Sequence, residues 1–151
     1  MVTRYQKNEA SDVLVNSDKI TLIVENRKEL VIVCRLIAFD EGKKVAEIKL
    51  PHIRNISEVA RRASNISRIM LFGSSIEERC KADSDIDIAV FGDKTKGKYL
   101  DSKEFRSFKS ALFRFDWDQE YDILYFKENE KCNAEIMKDI SSGVEIYRRT
   151  C

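Results

Sequence analysis

Apolar positions along this chain recur with two different periods. Between Ile20 and Leu50 they come in short runs rich in Val and Ile. Ile20-Thr21-Leu22-Ile23-Val24, Leu30 to Phe39 and Lys44 to Leu50 predict strands, with Asp40-Glu41-Gly42-Lys43 turning between the last two. A helix across 20–37 competes, since Ile20, Ile23, Leu30, Cys34 and Ile37 also fall near helical spacing. Strands are favoured because Val and Ile lose rotamer freedom in helices. Residues 1–18 are polar and unpatterned and read as a loose arm.

Beyond Pro51 the helical period appears. Asn55 followed three residues later by Glu58 predicts a capping box, and Ile56, Val59, Ala60 and Ala63 form one apolar stripe. A strand from Arg68 to Phe72 runs into Gly73-Ser74-Ser75, and a second from Asp85 to Phe91 stops at Gly92. Lys94 to Lys98 reads as a basic loop. Asp101 and Glu104 then cap a helix with Phe105, Phe108, Leu112 and Phe115 on one face. Glu120 to Phe126 is a third strand. Asn133 opens a last helix carrying Ile136, Met137 and Ile140, closed by Gly143. Val144 to Tyr147 completes the pattern as an edge strand.

Composition narrows the class. The 151 residues are enough to bury a core without staples. Charged residues make up 35% of the chain and hydrophobic residues 43%, a globular balance. With 27 Lys plus Arg against 26 Asp plus Glu, the net charge of +1 argues against direct nucleic-acid binding. The four cysteines, Cys34, Cys80, Cys132 and Cys151, form no C-x-x-C pair, and the lone His52 cannot complete a zinc site. Dispersed thiols without a signal peptide suggest a reducing, cytoplasmic setting. The longest apolar run, Leu30 to Phe39, is about half of what a membrane helix needs.

The chemistry concentrates in two places. Asp83, Asp85 and Asp87 occupy every second position, so in a strand Asp85 and Asp87 share one face while Ile86, Ile88 and Val90 share the other. Such carboxylates stand about 7 Å apart and repel, and a divalent cation relieves that repulsion. Asp87 is followed by Ile88 and Ala89, which excludes an EF-hand loop. Upstream, Gly73-Ser74 ends a strand where a backbone can approach a phosphate and present N–H groups to it. An anion cradle beside a dicarboxylate clamp is the pairing that nucleotide chemistry requires.

Leu71-Phe72-Gly73-Ser74 followed by Ser84-Asp85-Ile86-Asp87-Ile88-Ala89-Val90 resembles the signature of the DNA polymerase β-type nucleotidyltransferase superfamily, and in particular its small, minimal nucleotidyltransferases. Ile140-Ser141-Ser142-Gly143-Val144-Glu145-Ile146-Tyr147 is similar to the family's closing helix and strand. The resemblance spans roughly 52–149. It implies an α/β (α+β) fold with a mixed sheet flanked by helices over residues 51–151; residues 1–50 have no counterpart in it, and their own pattern makes them a β-rich extension. It also implies that Gly73, Ser74 and Ser84 bind the nucleotide, and that Asp85 and Asp87 hold two Mg²⁺ ions.

The family's third carboxylate matches Asp122, which lies among apolar residues of the third strand, an expensive place for a charge without a partner. Its implied role is to share a metal and accept a proton from the attacking hydroxyl. Where relatives read Gly-Ser-Arg-Ala-Arg-Gly, this chain reads Gly73-Ser74-Ser75-Ile76-Glu77-Glu78, with Arg79 and Lys81 as the nearest cations.

The activity implied is transfer of AMP from ATP to an acceptor hydroxyl. Likeness to antitoxin members of the family points to a HEPN-domain protein as the acceptor. A small aminoglycoside-like acceptor is the alternative enzyme. A binding module that neutralises its partner by contact alone is the alternative of another class. The extension could serve partner binding or dimerisation. Trp117 is a weaker candidate for stacking on a base. Arg61 and Arg62 fall on the polar face of their helix.

Overall fold

The computed structural model describes residues 3–6, 11–16, 19–24, 29–63 and 65–150, with side chains from Val33 onward. The β-rich reading of the first fifty residues holds for these segments. β1 (Thr3–Gln6), β2 (Ser11–Asn16), β3 (Lys19–Val24) and β4 (Glu29–Cys34) form an antiparallel sheet in sequence order. Within the span expected to be a loose arm, residues 3–6 and 11–16 are therefore strands. Val13 and Val15 stand in register opposite Leu22 and Ile20. Arg35 separates β4 from the hairpin β5 (Leu36–Asp40) and β6 (Lys43–Ala46). Glu41 and Gly42 take φ of 43° and 79° in its two-residue turn, as a primed hairpin turn demands.

The third expected strand ends early. After Ala46 the chain enters a short 3-10 turn, Glu47–Lys49, and then α1 (Leu50–Arg62). Asn55 and Glu58 lie inside this helix and cap nothing. Pro51 sets the start instead, since proline's fixed φ and missing N–H suit the first helical turn. α1 buries Ile53, Ile56 and Ala60.

Four strands make the central sheet, in the order β10-β7-β8-β9. They are β7 (Ile66–Phe72), β8 (Ile86–Gly92), β9 (Tyr121–Lys127) and β10 (Val144–Arg148). β10 and β8 run antiparallel to β7, while β9 runs parallel to β8, so the sheet is mixed. Between β8 and β9 lie the five-residue α2 (Lys96–Leu100) and α3 (Lys103–Phe115). The expected basic loop is thus partly helical, because Tyr99 is drawn into the core and stacks on Tyr125 at 4.0 Å. Ser102 caps α3, its hydroxyl accepting from the Phe105 amide, and Glu104 falls in the first turn. Phe108 and Leu112 are buried as expected, but Phe115 is 49% exposed.

Alternation along the strands builds two cores. Ile86, Ile88 and Val90 join Ile69, Leu71, α1 and α3 on one face. Ala89 and Phe91 join Met70 and Ile140 on the other, beneath α4 (Ala134–Ser141). Each fully buried isoleucine contributes about 1.5–3 kcal/mol. Asn133 caps α4 through the Glu135 amide. Gly143 follows α4, but for a reason other than a left-handed turn: a Cβ there would strike the Leu71 carbonyl oxygen, so only glycine lets β10 close onto β7. No helix among the described residues is long and apolar enough to cross a membrane.

Candidate active site

Register places the acidic residues. Phe72, the last residue of β7, pairs with Asp87 on β8, and Asp87 pairs with Asp122 on β9. Asp87, Ala89 and Phe91 share a face with Asp122, Leu124 and Phe126. Further along, that face is apolar and covered by α4; at this end it opens and carries carboxylates. Asp85 precedes β8 by one residue and is exposed. Asp122 is exposed as well, which corrects the expectation that apolar neighbours enclose it. β9 is an edge strand, and the residues beside Asp122 alternate away from it.

Gly73 follows Phe72 directly with φ of 70°, and the Asp87 carboxylate occupies the space a Cβ would take. Gly73 opens a 3-10 turn, Gly73–Ile76, in which the Ser74 hydroxyl lies 3.5 Å from the Asp85 carbonyl, the outer limit of a hydrogen bond. Ser84, expected at the nucleotide, uses its hydroxyl locally, accepting from the Lys81 amide at 2.9 Å.

Burial raises the pKa of Asp87, and the nearby charges of Asp122 and Asp85 raise it further, with Arg79 opposing. The Asp87 carboxylate therefore senses the other two. Arg79 also forms an exposed ion pair with Glu77, so one of the two acids after Ser74 is held by a cation that also acts on Asp87. The Glu78 backbone carbonyl accepts the Cys34 amide at 2.7 Å.

Among the described residues no three His, Cys, Asp or Glu side chains close into a ready-made metal cage. Mg²⁺ seldom uses one. It takes one or two carboxylates and completes its octahedron with waters and substrate phosphates. Asp87 and Asp122, in register across two strands with Asp85 alongside, supply hard oxygen donors whose mutual repulsion a cation would relieve. These residues fit that ion.

Sequence patterning missed the buried polar groups bonded to the backbone that leads to these aspartates. Lys49 is 1% exposed, and its ammonium donates to the carbonyls of Ala82 at 2.9 Å and Ser84 at 2.6 Å, and to Gln119 Oε1 at 2.6 Å. Gln119 in turn donates to the carbonyls of Ser84 and Glu120. His52, expected to be structural, lies 2.7 Å from Asp116 and holds that carboxyl below the usual range. It meets Phe115 edge-on at 5.4 Å. Trp117 is 77% exposed. Cys34 and Cys80 are buried with Ala46, and burial raises both thiols' pKa. Cys151 lies outside the described residues.

Gly73→Ala is expected to cost about 1–2 kcal/mol from the left-handed backbone alone. The new methyl also displaces the Asp87 carboxylate, so activity should fall further than the folded fraction does. Urea unfolding beside a rate measurement checks this. Unchanged stability and rate would mean that the close approach has no consequence.

No curated protein matches the chain. The family model for polymerase beta, nucleotidyltransferase, matches residues 54–150, which takes in β7 to β10 and Asp85, Asp87 and Asp122. Nucleotidyl transfer is the chemistry such a domain carries, and this chain belongs to the polymerase beta nucleotidyltransferase family.

Proposed function

We propose that the protein transfers AMP from ATP to an acceptor hydroxyl, with Asp85, Asp87 and Asp122 as the working carboxylates. The observation that carries this reading is the register of Asp87 against Asp122, beside a glycine whose missing side chain lets the Asp87 carboxylate lie against the turn that follows β7. Gly73 and Ser74 would receive the phosphates through backbone N–H groups, and the Ser84 segment would border them. Asp85, Asp87 and Asp122 would hold Mg²⁺, which supplies positive charge against the triphosphate when bound.

The acceptor oxygen attacks the α-phosphorus, an O–P bond forms, and the bond to the pyrophosphate oxygen breaks. Asp122 takes the proton released by the acceptor. Its exposure suits that role, because an acceptor carried by another protein must reach it from outside.

A protein acceptor of the HEPN class is preferred. Strands β1 to β4 supply a sheet against which a partner or a second copy could dock. The setting on this reading is cytoplasmic, as part of a toxin–antitoxin pair. The pairing of Glu77 with Arg79 lessens the repulsion that two acids beside a triphosphate would otherwise cause, which favours an enzyme over a contact-only module.

Mg²⁺ plus ATP is expected to raise the melting temperature more than either does alone. The gain corresponds to ~2.7 kcal/mol at a hundredfold excess over Kd. No shift at millimolar ligand would remove the nucleotide reading. ATP labelled at the α-phosphate, incubated with Mg²⁺ and the product of a neighbouring HEPN gene, should label that protein. Label appearing instead on an aminoglycoside would move the acceptor to the small-molecule class.

A further inference from the structure

A lysine ammonium has three N–H donors, and those of Lys49 are all spent. They go to Ala82 O, Ser84 O and Gln119 Oε1, three neutral oxygens. A buried charge satisfied by neutral acceptors is costly to keep, and an apolar side chain of similar volume is often no less stable. Nor can Lys49 hold a substrate phosphate, since no donor remains. What the arrangement achieves is geometric. Ala82 and Ser84 belong to the loop that delivers Asp85, and Gln119 stands three residues before Asp122.

A second layer ties the same two segments together. Gln119 Nε2 donates to Ser84 O at 3.0 Å and to Glu120 O at 2.7 Å, and the Ile86 amide donates to Glu120 O at 3.0 Å. Ser84 O thus accepts from both Lys49 and Gln119, and the backbone on either side of Asp85 is fixed to the backbone leading into β9. The charge matters too: Asp83, Asp116 and Asp85 all lie within electrostatic reach of this ammonium, which offsets part of their repulsion.

We propose that Lys49 is the positioning residue of the carboxylate cluster, clamping the 82–84 backbone to Gln119 and so fixing where Asp85 stands relative to Asp122. This rests on the reading of Asp85, Asp87 and Asp122 as a cation clamp. The clamp acts from beneath, through the backbone, and touches no substrate.

The test compares the full-length parent with Lys49→Met and Gln119→Ala. Mn²⁺ binding is followed by electron paramagnetic resonance without nucleotide, and amide hydrogen exchange is followed without metal. In Lys49→Met the Mn²⁺ midpoint should rise roughly 10–100-fold, as for loss of a group that orients ligands. Exchange should quicken at least about tenfold across 82–86 and 119–122 while β7 and α3 keep their protection. Gln119→Ala should shift both readouts the same way by less, and it decides the matter if Lys49→Met does not fold. An unchanged Mn²⁺ midpoint in a folded variant, or exchange that quickens evenly throughout the sheet, would overturn the proposal and leave Lys49 a structural residue. If the parent itself binds no Mn²⁺, the cation clamp fails, and the local exchange pattern alone decides whether Lys49 fixes this loop.

Discussion

Asp122→Asn is expected to leave the fold and most of the nucleotide affinity intact while slowing transfer ~10²–10⁴-fold. The side chain is exposed at the start of an edge strand, so the substitution opens no cavity and breaks no core contact. Asparagine keeps the shape and removes only the capacity to take a proton and to share a cation. Neighbouring acids cannot readily stand in. Asp116 is engaged by His52 at 2.7 Å and accepts the Asp118 amide at 3.0 Å, and Asp118 lies in the turn before the strand, outside the register that aligns Asp122 with Asp87. Single-turnover rates with α-labelled ATP, beside equilibrium binding of the nucleotide, separate the two effects. A large loss in Asp118→Asn with Asp122→Asn unaffected would assign the role to the wrong carboxylate.

What the sequence made legible follows from how local each feature is. The spaced Asp85 and Asp87 between Ile86 and Ile88 need only strand alternation to be read, and β8 has that alternation. Gly73 is legible for a related reason: a glycine between a strand and a turn has few other uses, and here it takes φ of 70° against Asp87.

Lys49 was not legible. It stands one residue before the end of a run that reads as a strand, and nothing local distinguishes it from Lys43 or Lys44, which stay exposed on the hairpin. Its burial comes from residues 33 to 70 positions away, whose carbonyl oxygens converge on it. The false capping box at Asn55 has the same origin. Its spacing satisfies a local rule, but the helix had already begun at Leu50 with Pro51 in its first turn. Asp122 misled in the opposite direction, because apolar neighbours in sequence point to the other face or lie further along an edge strand.

Replacing both Asp85 and Asp87 with asparagine should abolish AMP transfer without harming the metal-free protein. The carboxyl of Asp87 holds its proton to higher pH in the folded chain than in the unfolded one, chiefly through burial and then through Asp122 and Asp85. Between its ordinary value of 3.8 and that raised value the native state binds more protons than the unfolded state. Unfolding free energy therefore falls as pH rises through this window, and above it the full cost of the ionised carboxylate is present. At neutral pH the parent bears that cost and the double variant does not, so the variant should be at least as stable there. The difference should shrink as the pH is lowered through the window. With Mg²⁺ and ATP the order reverses. The parent gains the ligand's stabilisation, while the variant has lost the charges that hold the cation and gains nothing. Thermal melts of both proteins at neutral and acid pH, with and without Mg²⁺–ATP, give all the comparisons needed. Equal ligand-induced shifts in parent and variant would show that these aspartates are only a solvated strand end, and the enzymatic reading of the site would fall with them.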